Sequence, residues 1–120
     1  MSHCLIVEDN EVDSMVLEQV MKQHDYEVVT VENGQQALIH CDSHTPKVIF
    51  LDWMMPYMDG PEFLEELRDA KSGDTPYIIV CTGKEDEDAK ETVLKAGANA
   101  FIKKPISAEL IDSTLTAAGL

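Results

Sequence analysis

Apolar residues fall along this chain in short unbroken runs, separated by longer amphipathic stretches. Leu5-Ile6-Val7 runs into Glu8-Asp9, Val48-Ile49-Phe50-Leu51 into Asp52, Ile78-Ile79-Val80-Cys81 into Thr82, and Ala100-Phe101-Ile102 into Lys103-Lys104-Pro105. A continuous short apolar run with β-branched members predicts a strand buried on both faces. The expected strands are Cys4–Glu8, Tyr26–Val31, Lys47–Asp52, Tyr77–Thr82 and Ala100–Lys103. Between them the pattern predicts helices over 11–24, 34–41, 61–71, 85–96 and 108–117. Val12, Met15, Val16, Gln19, Val20 and Gln23 give the first helix its stripe, and Phe63, Leu64 and Leu67 face inward on the third. Asn33 and Ser107 are the expected N-caps of the second and fifth helices, and Gly97 is the C-terminal stop of the fourth. Ser72-Gly73-Asp74-Thr75-Pro76 is a turn cluster.

Strictly alternating strands and helices predict an α/β fold: (βα)5, a doubly wound five-stranded parallel sheet with right-handed crossovers and helices on both faces. Residues 1–120 suffice for one domain with one sheet. In such a sheet the polar residues that end the strands gather at one edge, where ligands bind. With strand one near the middle of the sheet, Glu8, Asp9 and Asp52 lie on neighbouring strands about 4.8 Å apart.

Carboxylates that close either retain a proton or share a cation. Oxygen donors without a nearby Cys or His favour a hard divalent ion, most simply Mg²⁺, which binds few carboxylates and leaves room for a phosphoryl oxygen. Asp52 can then offer a free oxygen to phosphorus. The Thr82 hydroxyl and the Lys104 ammonium supply charge stabilisation for a phosphoryl group, and Gly83 leaves the approach open. Each residue alone has a plainer reading: Asp9 as the N-cap of helix one, Thr82 as a strand residue, Lys104 as a surface lysine. Their joint placement at strand ends is what favours phosphoryl chemistry.

Charge and cysteine content narrow the class. There are 23 acidic against 9 basic residues, a formal charge of −14, which repels nucleic acid and anionic membranes and favours cations and basic protein surfaces. Cys4, Cys41 and Cys81 are odd in number and lie mostly in apolar runs, so buried free thiols in a reducing, cytoplasmic setting are expected. No apolar stretch reaches the ~18 residues of a membrane span, and no leader is recognised.

The chain resembles the receiver domains of two-component response regulators, the family of the bacterial chemotaxis regulator. The resemblance rests on Val7-Glu8-Asp9-Asn10, Leu51-Asp52-Trp53-Met54-Met55-Pro56, Met58-Asp59-Gly60, Thr82-Gly83, Gly97-Ala98 and Lys103-Lys104-Pro105, and it covers essentially the whole chain. It implies the flavodoxin-like strand order 2-1-3-4-5. It implies that Asp52 accepts a phosphoryl group from a histidine kinase or histidine phosphotransferase. Glu8 and Asp9 would organise Mg²⁺ together with Asp52 and the backbone carbonyl of Met54, while Thr82 and Lys104 contact the phosphoryl oxygens. Thr82 and Phe101 occupy the switch positions. Phe101 stands where a tyrosine is common, so switching through packing alone is expected. Met54 and Lys84 flank the hydrolytic water's path, and Met54 has no group to orient water, which predicts slow self-dephosphorylation.

The expected activity is that of a signalling phosphoacceptor rather than an enzyme. It would catalyse only its own phosphorylation and dephosphorylation and alter its affinity for a downstream protein target. Because the chain ends at Leu120 soon after helix five, a stand-alone regulator is expected. A phosphorelay intermediate is the alternative. A haloacid-dehalogenase-like phosphatase needs a second acid two residues after its nucleophile, where Met54 stands. A flavodoxin-like cofactor binder needs a hydroxyl- and glycine-rich loop after strand one, where Glu8-Asp9-Asn10 stands.

Three weaker features remain. His40 and His44, with Cys41 adjacent, have the spacing of a helical metal clip, but surface histidines near the end of helix two are the preferred reading. Glu85, Asp86, Glu87 and Asp88 complement the dipole of helix four. Met15, Val16 and Val20 serve either the core or a docking kinase or phosphotransferase helix.

Overall fold

The computed structural model describes residues 2–53, 60–70, 76–83 and 87–120. Its elements alternate throughout: β1 (Ser2–Val7), α1 (Glu11–Gln23), β2 (Tyr26–Val31), α2 (Gly34–Ser43), β3 (Val48–Asp52), α3 (Gly60–Ala70), β4 (Tyr77–Thr82), α4 (Glu87–Lys95), β5 (Ala100–Lys103) and α5 (Ala108–Ala118). The strands form one parallel sheet in the order β2-β1-β3-β4-β5. The expected (βα)5 fold and strand order both hold. Among the described residues no helix is long and apolar enough to cross a membrane.

The period of two along each strand divides the core. Leu5, Val7, Ile49, Leu51, Ile78 and Val80 point to one face, where Phe63, Leu64, Leu67 and Val93 cover them. Cys4, Ile6, Val48, Phe50, Ile79 and Cys81 point to the other, under Leu17, Val20 and Met21 of α1 and Ile111 and Leu115 of α5. Full burial on both faces is why β1, β3 and β4 read as unbroken apolar runs. Each such side chain contributes roughly 1.5–3 kcal/mol on burial. All three cysteines are buried.

The helix ends follow local chemistry. Asn33 and Ser107 cap α2 and α5, accepting from the N–H groups of Gln36 and Leu110. Gly97, at φ 111°, follows α4 in a conformation that costs a side-chain-bearing residue energy.

Three details correct the sequence expectations. Asn10, not Asp9, caps α1, its side chain accepting from the Asp13 N–H. β1 ends at Val7, although the Glu8 N–H still donates to Val31 O. The buried stripe of α1 is Leu17, Val20 and Met21, whereas Val12 is 70% and Met15 67% exposed. The helix is turned so that Leu17 leads its inner face, and Val16 packs against the core only in part.

Candidate functional site

The chain runs from β1 to β2 on one side, then crosses back to place β3 on the other side of β1. Strand order therefore reverses between β1 and β3, which opens a crevice at their carboxyl ends. Register sets Val7 beside Leu51, so Glu8 and Asp52 emerge next to each other. On the far side of β3, Asp52 pairs with Cys81, and Thr82 pairs with Lys103 across β4 and β5. A backbone bond from Lys104 N to Thr82 O, 2.7 Å, ties the end of β5 to the same edge. The Lys104–Pro105 peptide is cis.

Carboxylate oxygens of Glu8, Asp9 and Asp52 lie within 4.8 Å of one another. Asp52 is 5% and Glu8 3% exposed, while Asp9 faces solvent. Lys104 reaches in from the β5 end. Its Nζ lies 3.1 Å from Asp13 Oδ2, 3.2 Å from Glu8 Oε2 and 3.6 Å from Asp52 Oδ1. Burial alone would lower the Lys104 pKa, but Asp13, Glu8 and Asp52 outweigh it and hold the ammonium charged. Burial, followed by repulsion from Asp52, raises Glu8 to about 7, against the opposing pull of Lys104 and the Asn10 N–H.

One positive charge thus faces three carboxylates within reach, with Asp9 beside them. Glu8 Oε2 is buried and has no hydrogen-bond partner, although Lys104 is within ion-pair distance. A buried acceptor without a hydrogen bond next to two further carboxylates is a donor set for a hard, oxygen-loving divalent ion, and Mg²⁺ fits it. Among the described residues no Cys or His joins this group, which disfavours a softer metal.

Thr82, fully buried, closes β4. At Gly83 an added Cβ would meet no heavy atom within 4 Å, so the approach past it is open. Phe101 is half-buried against the core face that holds Val80, its pairing partner. Met54 and Lys84, and the motif Met58-Asp59, lie outside the described residues.

The sequence reading missed Asp13. It sits in the first turn of α1, three residues after the cap Asn10, and holds Lys104 more closely than Asp52 does. Helical spacing could have brought it to the crevice, because the cap fixes the direction of the first turn, but a lone first-turn aspartate reads first as dipole complementation.

The family model described as the response regulator receiver domain matches residues 4–116. The chain is 34% identical over 111 residues to the autoinducer 2 sensor kinase/phosphatase LuxQ of Vibrio vulnificus, covering 92% of this chain and 13% of that protein. It therefore spans a small part of the length of that relative. Among solved structures it resembles the receiver domain of the sensor histidine kinase PA1611 from Pseudomonas aeruginosa, which holds a magnesium ion in its active-site cleft. The TM-score is 0.85 at 28% identity, with 97% of this chain and 95% of the other covered. It also resembles the chemotaxis response regulator CheY4 of Vibrio cholerae, with a TM-score of 0.86, 26% identity and 98% coverage of both chains.

Proposed function

This chain belongs to the response regulator receiver domain family, and on that premise we propose that Asp52 accepts a phosphoryl group from a histidine kinase or histidine phosphotransferase. The observation that carries the reading is the convergence of Glu8, Asp9, Asp52 and Lys104 at one sheet edge. Residues 1–120 are read as one receiver unit.

Asp52 offers one carboxylate oxygen to phosphorus. The new O–P bond forms as the P–N bond of the donor phosphohistidine breaks, and that electron pair returns to the imidazole. Lys104 neutralises charge on the transferring oxygens, and the Thr82 hydroxyl donates to one of them. Glu8, Asp9 and Asp52, with the Met54 carbonyl, would hold Mg²⁺, which neutralises phosphoryl charge when bound. A magnesium ion in the cleft of a similar receiver domain supports this assignment.

The phosphoryl group then draws Thr82 and Lys104 inward, and Phe101 follows by packing, since a phenyl ring has no hydroxyl to satisfy. The shift in affinity for a protein target is limited by the difference in phosphoryl interaction between the two conformations. Met54 orients no water, so the phosphorylated state is long-lived. The chain acts as a phosphoacceptor in signalling and not as a turnover enzyme.

The test is phosphotransfer from purified phosphorylated histidine kinases and phosphotransferases. Label should appear on the wild-type chain and be absent from Asp52→Asn. Rapid return of label to a phosphotransferase histidine would assign a relay role, and label retained on Asp52→Asn would remove Asp52 as the acceptor.

A further inference from the structure

Three of the chain's four histidines meet at the edge of the sheet opposite the acidic crevice. His3 lies in β1 on the same face as Leu5, toward α2, whose last turn carries His40 and whose C-cap is His44. His3 Nε2 and His40 Nε2 are 2.7 Å apart, across 37 residues of sequence. The rings of His40 and His44 stack at 4.6 Å with an interplanar angle of 5°. The five residue steps from His3 to Glu8 span roughly 16 Å of strand at about 3.3 Å each, so this cluster is separate from the acidic crevice.

We propose that His3 and His40 form a site for a borderline divalent transition-metal ion of the zinc class, bound through their two Nε2 atoms with water completing the shell. Imidazole nitrogen suits such ions, whereas the carboxylate crevice suits Mg²⁺, so the chain would carry two sites of different chemical preference. Two nitrogens bound at about 2.0–2.1 Å in tetrahedral geometry stand roughly 3.3 Å apart. The pair needs to open by little more than half an ångström, which partly exposed side chains can do by small rotations. Parallel planes separated as in the His40–His44 stack cannot both contain one ion, so His44 serves as a packing face that fixes the plane of His40.

At 2.7 Å the two Nε2 atoms share one hydrogen, so the donor ring binds the ion once that proton has passed to its Nδ1 or to solvent. Burial, then the neighbouring His3 and His44 rings, lower the His40 pKa and hold that ring neutral. His24 shows the contrasting arrangement, its Nε2 lying 2.7 Å from Asp112 Oδ1 with no second imidazole beside it among the described residues. Among the described residues the acidic trio is the group of three whose donor atoms already converge, so the histidines bind as a pair.

The probe is ZnCl₂ titrated calorimetrically into the full chain with millimolar Mg²⁺ present to occupy the carboxylates. One equivalent should bind. His3→Gln and His40→Gln should each weaken it by about tenfold or more, and Asp52→Asn should leave it unchanged. In the unsubstituted chain, long-range ¹H–¹⁵N spectra should show the His3 and His40 Nε2 resonances shifting on addition of Zn²⁺. Affinity unchanged in both histidine variants, loss of binding with Asp52→Asn instead, or unmoved Nε2 resonances would each overturn the proposal.

Discussion

The Lys104 ammonium lies 3.1 Å from Asp13 Oδ2 and 3.6 Å from Asp52 Oδ1, so the carboxylate it approaches more closely is not the proposed acceptor. To reach a phosphoryl group on Asp52, Lys104 must loosen its contact with Asp13. A charge-assisted contact between partly buried groups contributes on the order of 1 kcal/mol. Asp13→Asn should therefore strengthen binding of the phosphoryl mimic beryllofluoride, with Mg²⁺ present, by roughly three- to tenfold. Fluorescence titration through Trp53, next to the acceptor, reads this directly. Unchanged or weaker binding would mean that Asp13 supports the phosphorylated state instead.

Mg²⁺ should stabilise the fold, because the folded chain alone assembles Glu8, Asp9 and Asp52. At a hundredfold excess over the dissociation constant the gain is about 2.7 kcal/mol. Thermal unfolding with and without MgCl₂ checks it. Asp9→Asn should abolish most of the shift, and an equal shift in that variant would place the ion elsewhere.

The orientation of α1 reverses the ranking that helical spacing assigns to Met15, in the expected stripe, and Leu17, outside it. Leu17 is 1% exposed and Met15 67%. Leu17→Ala should cost about 2–5 kcal/mol, and Met15→Ala should stay within about 0.5 kcal/mol, both measured by urea unfolding. Comparable losses would show that the outer stripe of α1 is also packed.

Burial raises the Cys4 thiol from 9.0 to about 12. Above pH 9 the unfolded chain loses this proton while the folded chain keeps it. The unfolded state then binds fewer protons, so stability falls as pH rises from 9 toward 12. One such group contributes a slope of up to about 1.4 kcal/mol per pH unit. Cys4→Ala should reduce the slope between pH 9 and 10 whatever its effect on absolute stability, and an identical slope would show Cys4 to be ionised in the fold.

Strands were legible because burial on both faces writes itself as unbroken apolar runs, and the polar residue ending each run marked the crevice. Helix orientation was less legible. In α1 the apolar residues Val12, Met15, Val16, Leu17, Val20 and Met21 circle much of the helix, so spacing alone could not choose the inner stripe. The cap of α1 stayed open for a related reason: Asp9 and Asn10 are both good caps, and the structure gives the role to Asn10 and leaves Asp9 to the crevice. Asp13 and His3 escaped notice because their partners, Lys104 and His40, are 91 and 37 residues away. Only the fold brings such pairs together, and no local pattern records them.

Intact-mass analysis after incubation with acetyl phosphate and MgCl₂ tests the central claim most directly, with no dependence on a cognate kinase. The wild-type chain should gain a single phosphoryl group, mapped to Asp52 and lost without Mg²⁺, and Asp52→Asn should gain none. An unmodified wild-type chain that nevertheless binds Mg²⁺, or an equal gain on Asp52→Asn, would contradict the account.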